Sequence, residues 1–226
     1  MEDIGVFLSQ LNCSKVLSKK IDYSDYITLD LSESNEFLKS QNLETASDYE
    51  IFIQNYLDKN NAKIAYGGYK EVRNLYKRSS VFNNSNYEER NIHIGLDLWI
   101  NEKAPVYAAL DGKLHSFQNN VSHGDYGPTI ILEHNLNGFT FHTLYGHLSL
   151  DSLKNKTIGD EIKQGTQIAT LGLPPINGDY APHLHFQIII DMENKKGDYP
   201  GVCNWKDLDF YSKNCPNPDL LLKINK

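Results

Sequence analysis

Two β-rich runs, Thr129 to Glu133 and Phe139 to Tyr145, flank the polar turn Asn135-Leu136-Asn137-Gly138. This pattern predicts an antiparallel hairpin, because Asn and Gly tolerate the left-handed backbone that a tight turn demands. The same texture runs from Ala62 onward. Ile92 to Trp99 alternates, as do Val106 to Ala108 and Lys113 to Phe117. Lys163-Gln164-Gly165 separates two more short strands, and His183 to Asp191 reads as a long one. Many short strands divided by Gly and Asp turns predict a mainly β fold, an antiparallel barrel or sandwich. A length of 226 residues suits one large domain, with room for a small appendage.

The first sixty residues differ in style. They hold one glycine, Gly5, and neither proline nor histidine. Ser47-x-x-Glu50 reads as a capping box. Behind it Tyr49, Phe52, Ile53, Tyr56 and Leu57 recur at helical spacing, and Asn60-Asn61 ends the helix. Shorter helices are expected near Met1 to Leu11 and Ser34 to Ser40. Residues 1–60 are thus read as a helical appendage and 61–226 as the main domain. The tail 201–226, with Pro216 and Pro218, is expected to wrap the surface.

Charge and hydropathy exclude some partners. Lys+Arg 22 against Asp+Glu 29 gives a net charge of -7, which disfavours nucleic acid, whose phosphates require a basic surface. The longest apolar run, Val106 to Leu110, is too short to span a bilayer. Glu2 and Asp3 stand where an export signal needs basic residues. A cytoplasmic location is expected, with a periplasmic or extracellular mature form as the alternative. Three cysteines, Cys13, Cys203 and Cys215, make no disulfide framework. Cys203 and Cys215 could pair in an oxidising compartment.

Eight histidines carry the chemical signal. His93 and Asp97 stand four apart among β-branched residues that disfavour a helix. In a straight strand they would lie roughly 13 Å apart, but Gly95 permits a kink that brings them together. His183 and His185 are two apart, so a strand projects both from one face, roughly 7 Å from each other. Leu184 and Phe186 then point the other way. His147 follows a strand that presents Phe141, Thr143 and Tyr145. Four imidazoles and one carboxylate suit an open zinc site, which uses three protein ligands and leaves one position for water. Such a site activates water near neutral pH, and a nearby imidazole can move the proton.

These stretches in order resemble the lysostaphin-type (LytM-like) zinc metalloendopeptidases, a family of peptidoglycan hydrolases. The resemblance covers roughly residues 87–190. It rests on His93-x-x-x-Asp97, Leu144-Tyr145-Gly146-His147-Leu148-Ser149 and His183-Leu184-His185. Ala104-Pro105-Val106-Tyr107-Ala108, Tyr126-Gly127 and Ile158-Gly159-Asp160 support it. It implies a two-sheet antiparallel β core with a groove over Zn2+. His93, Asp97 and His185 would bind the metal. His183 would be the general base, and His147 would hold the water or the oxyanion. Tyr87, six residues before His93, matches the offset of an oxyanion-stabilising tyrosine. The remaining histidines, His115, His123, His134 and His142, match no catalytic position.

The implied substrate is a peptidoglycan stem or cross-link peptide, or a related small peptide. Two other classes share the fold. A non-enzymatic zinc-binding module would regulate another hydrolase. A sugar-transport phosphocarrier would use His147 and His183 as a facing pair.

Overall fold

The structure is a computed structural model that describes residues 3–74, 89–100 and 103–225. Twelve strands are present among them: β1 (Tyr26–Thr28), β2 (Ile64–Gly67), β3 (Ile92–His93), β4 (Leu96–Trp99), β5 (Pro105–Tyr107), β6 (Gly112–Asn120), β7 (Gly127–Leu136), β8 (Phe139–Gly146), β9 (Glu161–Ile162), β10 (Gln167–Thr170), β11 (His183–Ile189) and β12 (Val202–Cys203). Eight of them form one sheet in the order β1-β2-β4-β11-β8-β7-β6-β9, and β5–β10 and β3–β12 form separate pairs.

The mainly β expectation holds. The strands are divided among several sheets, one large sheet and two two-stranded ribbons. The cause lies at Ile94-Gly95. The alternating run Ile92 to Trp99 breaks there, so β4 pairs with β2 and β11 while β3 turns away to pair with β12. The β7–β8 hairpin forms as the sequence predicts. Leu136 pairs with Phe139, and Asn137 (φ 51°) and Gly138 (φ 84°) make the two-residue turn.

Residues 1–60 are not helical throughout. They contain α1 (Ile4–Gln10), α2 (Glu36–Lys39) and α3 (Ala46–Lys59), but also β1, which pairs in parallel with β2 at the edge of the large sheet. The capping box of α3 starts two residues earlier than Ser47 suggests. Thr45 accepts from the Asp48 amide at 3.2 Å, and Asp48 accepts from the Thr45 amide at 2.7 Å. Phe7 and Leu8 of α1 are buried in the same apolar cluster as Tyr145 and Phe186 of the central strands. Phe52, Ile53 and Leu57 of α3 pack against Trp99 and Ala181. Two short C-terminal helices, α4 (Leu208–Asn214) and α5 (Asp219–Leu222), complete the wrap, with α5 against α1. Cys203 and Cys215 are buried and unlinked.

Strand β11 is central and buried along its whole length. Its apolar side chains Leu184, Phe186 and Ile188 enter the main core. By the two-residue period of a strand, His183, His185 and Gln187 share the opposite face. Three polar groups buried on one face require partners.

Candidate active site

The sheet register brings the sequence-distant motifs together. In the β11–β4 pair His185 stands opposite Asp97 and His183 opposite Trp99. In the β11–β8 pair His185 stands opposite Gly146. His147 follows β8 directly and takes a left-handed backbone, φ 60°, with its amide bonded to the Tyr126 carbonyl at 2.9 Å. A non-glycine residue in that region is uncommon, and such conformations concentrate at functional sites. The kink at Gly95 returns His93 to the face of Asp97. A Cβ on Gly95 would lie 2.3 Å from Cε1 of His185, so only glycine lets the two strands approach this closely. Gly95→Ala is therefore expected to destabilise the protein by about 1–3 kcal/mol through overpacking. Denaturant unfolding measures it, and a wild-type midpoint would contradict the close approach.

Three donor atoms converge. Nε2 of His93 lies 2.9 Å from Nδ1 of His185, Nδ1 of His185 lies 3.1 Å from Oδ1 of Asp97, and Nε2 of His93 lies 3.3 Å from the same oxygen. His183 stands just outside this group, with Nε2 3.8 Å from Oδ1 of Asp97. The His147 and His183 rings face each other at 4.2 Å between centroids. All five residues are buried.

Hydrogen bonds fix which nitrogen of each ring carries the proton, because a carbonyl oxygen can only accept. Nδ1–H of His93 donates to the Gly68 carbonyl at 2.9 Å. Nδ1–H of His147 donates to the Asn177 carbonyl, and Nδ1–H of His183 to the Ala181 carbonyl, both at 2.7 Å. The Gln187 amide nitrogen donates to the Pro200 carbonyl at 3.0 Å, which turns its oxygen toward His185. Nε2–H of His185 donates to that oxygen at 2.9 Å.

The consequence is electrostatic. Nε2 of His93, Nδ1 of His185 and Oδ1 of Asp97 all present lone pairs to one point, with no proton among them. Burial pushes His93 down to about 4, so it stays neutral at pH 7. Burial also lowers His147, with repulsion from His183 and His185 adding to it, and burial lowers His183 against the pull of Asp97. Burial opposes the charge on Asp97, yet His93, Arg73 and His183 hold its carboxyl well below the usual carboxylate range. Three lone pairs facing one point repel one another unless a cation lies between them. Tetrahedral zinc with ligand bonds of about 2.0–2.1 Å sets its ligand atoms roughly 3.3 Å apart. The observed separations fit that donor set, and among the described residues this group of three is the one able to hold a metal ion.

The cleft above these donors is lined by Tyr126, His147, Tyr180 and His183, and on one side by Tyr49 and Ile53 of α3. The N-terminal segment thus forms part of the cleft wall. The structure brings together His93, Asp97, His147, His183 and His185 as the sequence predicts. Tyr87 lies outside the described residues. Of the other histidines, His134 is satisfied in the core by the Asp111 carbonyl and Thr143. Sequence reading passed over Gln187, although its place two residues after His185 on the same strand face could have marked it. Arg73 was passed over too. Its Nη1 donates to Oδ2 of Asp97 at 2.6 Å. No local pattern around it signals that role.

A buried cleft with cation donors on its floor and two neutral imidazoles beside them holds the groups that metal-assisted hydrolysis would use. Residues 91–197 match the family model described as Peptidase family M23. No curated protein matches the chain. Among solved structures, the catalytic domain of the antimicrobial peptidase lysostaphin from Staphylococcus simulans is 26% identical, over 68% of this chain and 94% of that one, with a TM-score of 0.40. An M23 peptidase from Pseudomonas aeruginosa is 17% identical over 59% of this chain, with a TM-score of 0.40. The catalytic domain of the prophage-encoded M23 protein EnpA from Enterococcus faecalis is 20% identical, over 53% of this chain and 87% of that one, with a TM-score of 0.37. The chain spans 45% of the Pseudomonas chain.

Proposed function

We propose that this chain is a zinc-dependent endopeptidase that hydrolyses peptide bonds in peptidoglycan stem or cross-link peptides. The observation that carries the reading is the convergence of three lone-pair donors, from His93, Asp97 and His185, with no proton between them. The match of residues 91–197 to the M23 family model supports peptide hydrolysis. The peptidoglycan substrate rests on the resemblance of the motifs to lysostaphin-type enzymes.

His93 Nε2, Asp97 Oδ1 and His185 Nδ1 would hold the zinc. When bound, zinc supplies Lewis acidity, which polarises a carbonyl and acidifies water. The residues of the chain do the rest. His183 keeps Nε2 free of a proton because Nδ1–H is committed to the Ala181 carbonyl, so it is set to accept a proton from water as general base. The protonated ring can then pass that proton to the leaving amine. His147 is held in the same tautomer by the Asn177 carbonyl. As an acceptor it orients water, and it can donate to an oxyanion only after gaining a proton. The Trp99 ring stacks on His183 at 5.7 Å between centroids and limits its rotation. Tyr49 and Ile53 give the cleft an apolar flank on one side.

Metal removal tests the zinc dependence. Dialysis against a strong chelator is expected to abolish cleavage of purified muropeptides, and one equivalent of zinc per chain to restore it. Cleavage that survives complete metal removal would overturn the reading.

A further inference from the structure

The ligand carboxylate has two oxygens, and the structure treats them differently. Oδ1 of Asp97 faces the three histidines His93, His183 and His185. Oδ2 accepts from Nη1 of Arg73 at 2.6 Å. Arg73 is itself 2% exposed, and its Nε donates to Glu71, whose other oxygen accepts from the Leu31 amide at 3.0 Å. The guanidinium lies over the Trp99 ring, 5.7 Å from its centroid. A planar fork gripped by a carboxylate at each end and stacked on an indole has little freedom.

The backbone explains how Arg73 reaches this place. Residues 70–73 run beside β3. The Lys70 amide donates to the His93 carbonyl at 2.8 Å, the His93 amide to the Glu71 carbonyl at 2.9 Å, and the Arg73 amide to the Asn91 carbonyl at 2.8 Å. Gly68, with φ 104°, leaves room for the fork. A Cβ there would lie 2.0 Å from Nη2 of Arg73 and 2.9 Å from Nδ1 of His93. The same glycine carbonyl orients His93. Gly68, Glu71 and Arg73 lie before residue 91, where the family match begins.

We propose that Arg73, anchored by Glu71, is a positioning residue that occupies Oδ2 of Asp97 and so restricts that carboxylate to presenting Oδ1 alone to the metal. The inference rests on the reading of Asp97 as a zinc ligand. Partners of this kind hold a ligand in one orientation, and their loss typically lowers metal affinity about 10–100-fold. Lysine can keep the charge of Arg73, but it cannot bridge Asp97 and Glu71 with a rigid fork.

The test compares wild type, Arg73→Lys, Arg73→Met and Glu71→Gln in the full chain. Zinc affinity is read by competition with a chromophoric chelator, and geometry by the visible absorption of the cobalt-loaded protein. Both Arg73 variants are expected to lose about 10–100-fold in zinc affinity. Their cobalt bands are expected to shift and weaken as Oδ2 is freed to join the coordination sphere. Glu71→Gln is expected to move both readouts in the same direction by less. A purely structural role for Arg73 would change thermal stability and leave the cobalt bands as in wild type. If Arg73→Met does not fold, Arg73→Lys and Glu71→Gln carry the test. Wild-type affinity together with wild-type cobalt bands in Arg73→Lys would overturn the proposal. A wild-type protein that takes up neither zinc nor cobalt would remove the ligand reading, and this inference with it.

Discussion

His183→Ala is expected to lose about 10²–10⁴-fold in turnover, the range for removal of a general acid–base group, while zinc stays bound. The two halves of this prediction have separate causes. Nε2 of His183 stands 3.8 Å from Oδ1 of Asp97, outside the close triangle of His93, Asp97 and His185. Its removal takes no donor from that triangle. It does remove the one imidazole that the Ala181 carbonyl and the Trp99 ring hold with a bare nitrogen beside Asp97. Zinc affinity and muropeptide turnover, measured on the same preparation, separate the effects. Loss of zinc from the variant would show that His183 is a ligand, and the assignment of roles would then be wrong.

Asp97→Ala is expected to affect both metal and fold. It removes one of three zinc donors, so zinc uptake should fall below detection in a chelator competition. It also removes an ion-pair partner of Nη1 of buried Arg73. Breaking a buried ion pair from one side costs about 3–5 kcal/mol, because the remaining charge keeps its desolvation penalty without its compensation. Glu71 still pairs with Arg73, which places the expected cost near the lower end. In a chain of this size about 1 kcal/mol shifts the melting temperature by roughly 2–4 °C, so the metal-free variant should melt roughly 6–12 °C below metal-free wild type. Asp97→Asn keeps the shape and drops the charge. It should lose zinc as well, with its hydrogen-bonding capacity toward Arg73 partly kept. A metal-free Asp97→Ala protein as stable as wild type would contradict the buried pair.

The parts of the site that were legible in the sequence are those written in local periods. His183 and His185 share a strand face by the two-residue repeat, and the kink that joins His93 to Asp97 was marked by Gly95 within a β-branched run. The hairpin at Asn137-Gly138 was legible because its backbone needs residues that accept positive φ. The break of the Ile92 to Trp99 run into β3 and β4 was harder to read. Gly95 marks the kink, but which strand each half then joins is decided by the competing partners β11 and β12. The strand β1 hidden in residues 1–60 was missed for a similar reason. Tyr26–Thr28 is three residues long, too short to show a period, and exists by pairing with β2. Arg73 lies furthest from any local signal. Its partners Asp97 and Trp99 are supplied by a strand more than twenty residues away, so its role belongs to the tertiary structure.

In the proposed function, a cation held by His93, Asp97 and His185 and a base at His183 cleave peptide bonds of peptidoglycan. Its most direct test is mass spectrometry of purified muropeptides after incubation with zinc-loaded wild type and with zinc-loaded His183→Ala. Fragment pairs are expected in wild type alone, each pair summing to the parent plus one water and each arising from a peptide bond. Muropeptides left intact by zinc-loaded wild type, or cut only within their glycan, would contradict it.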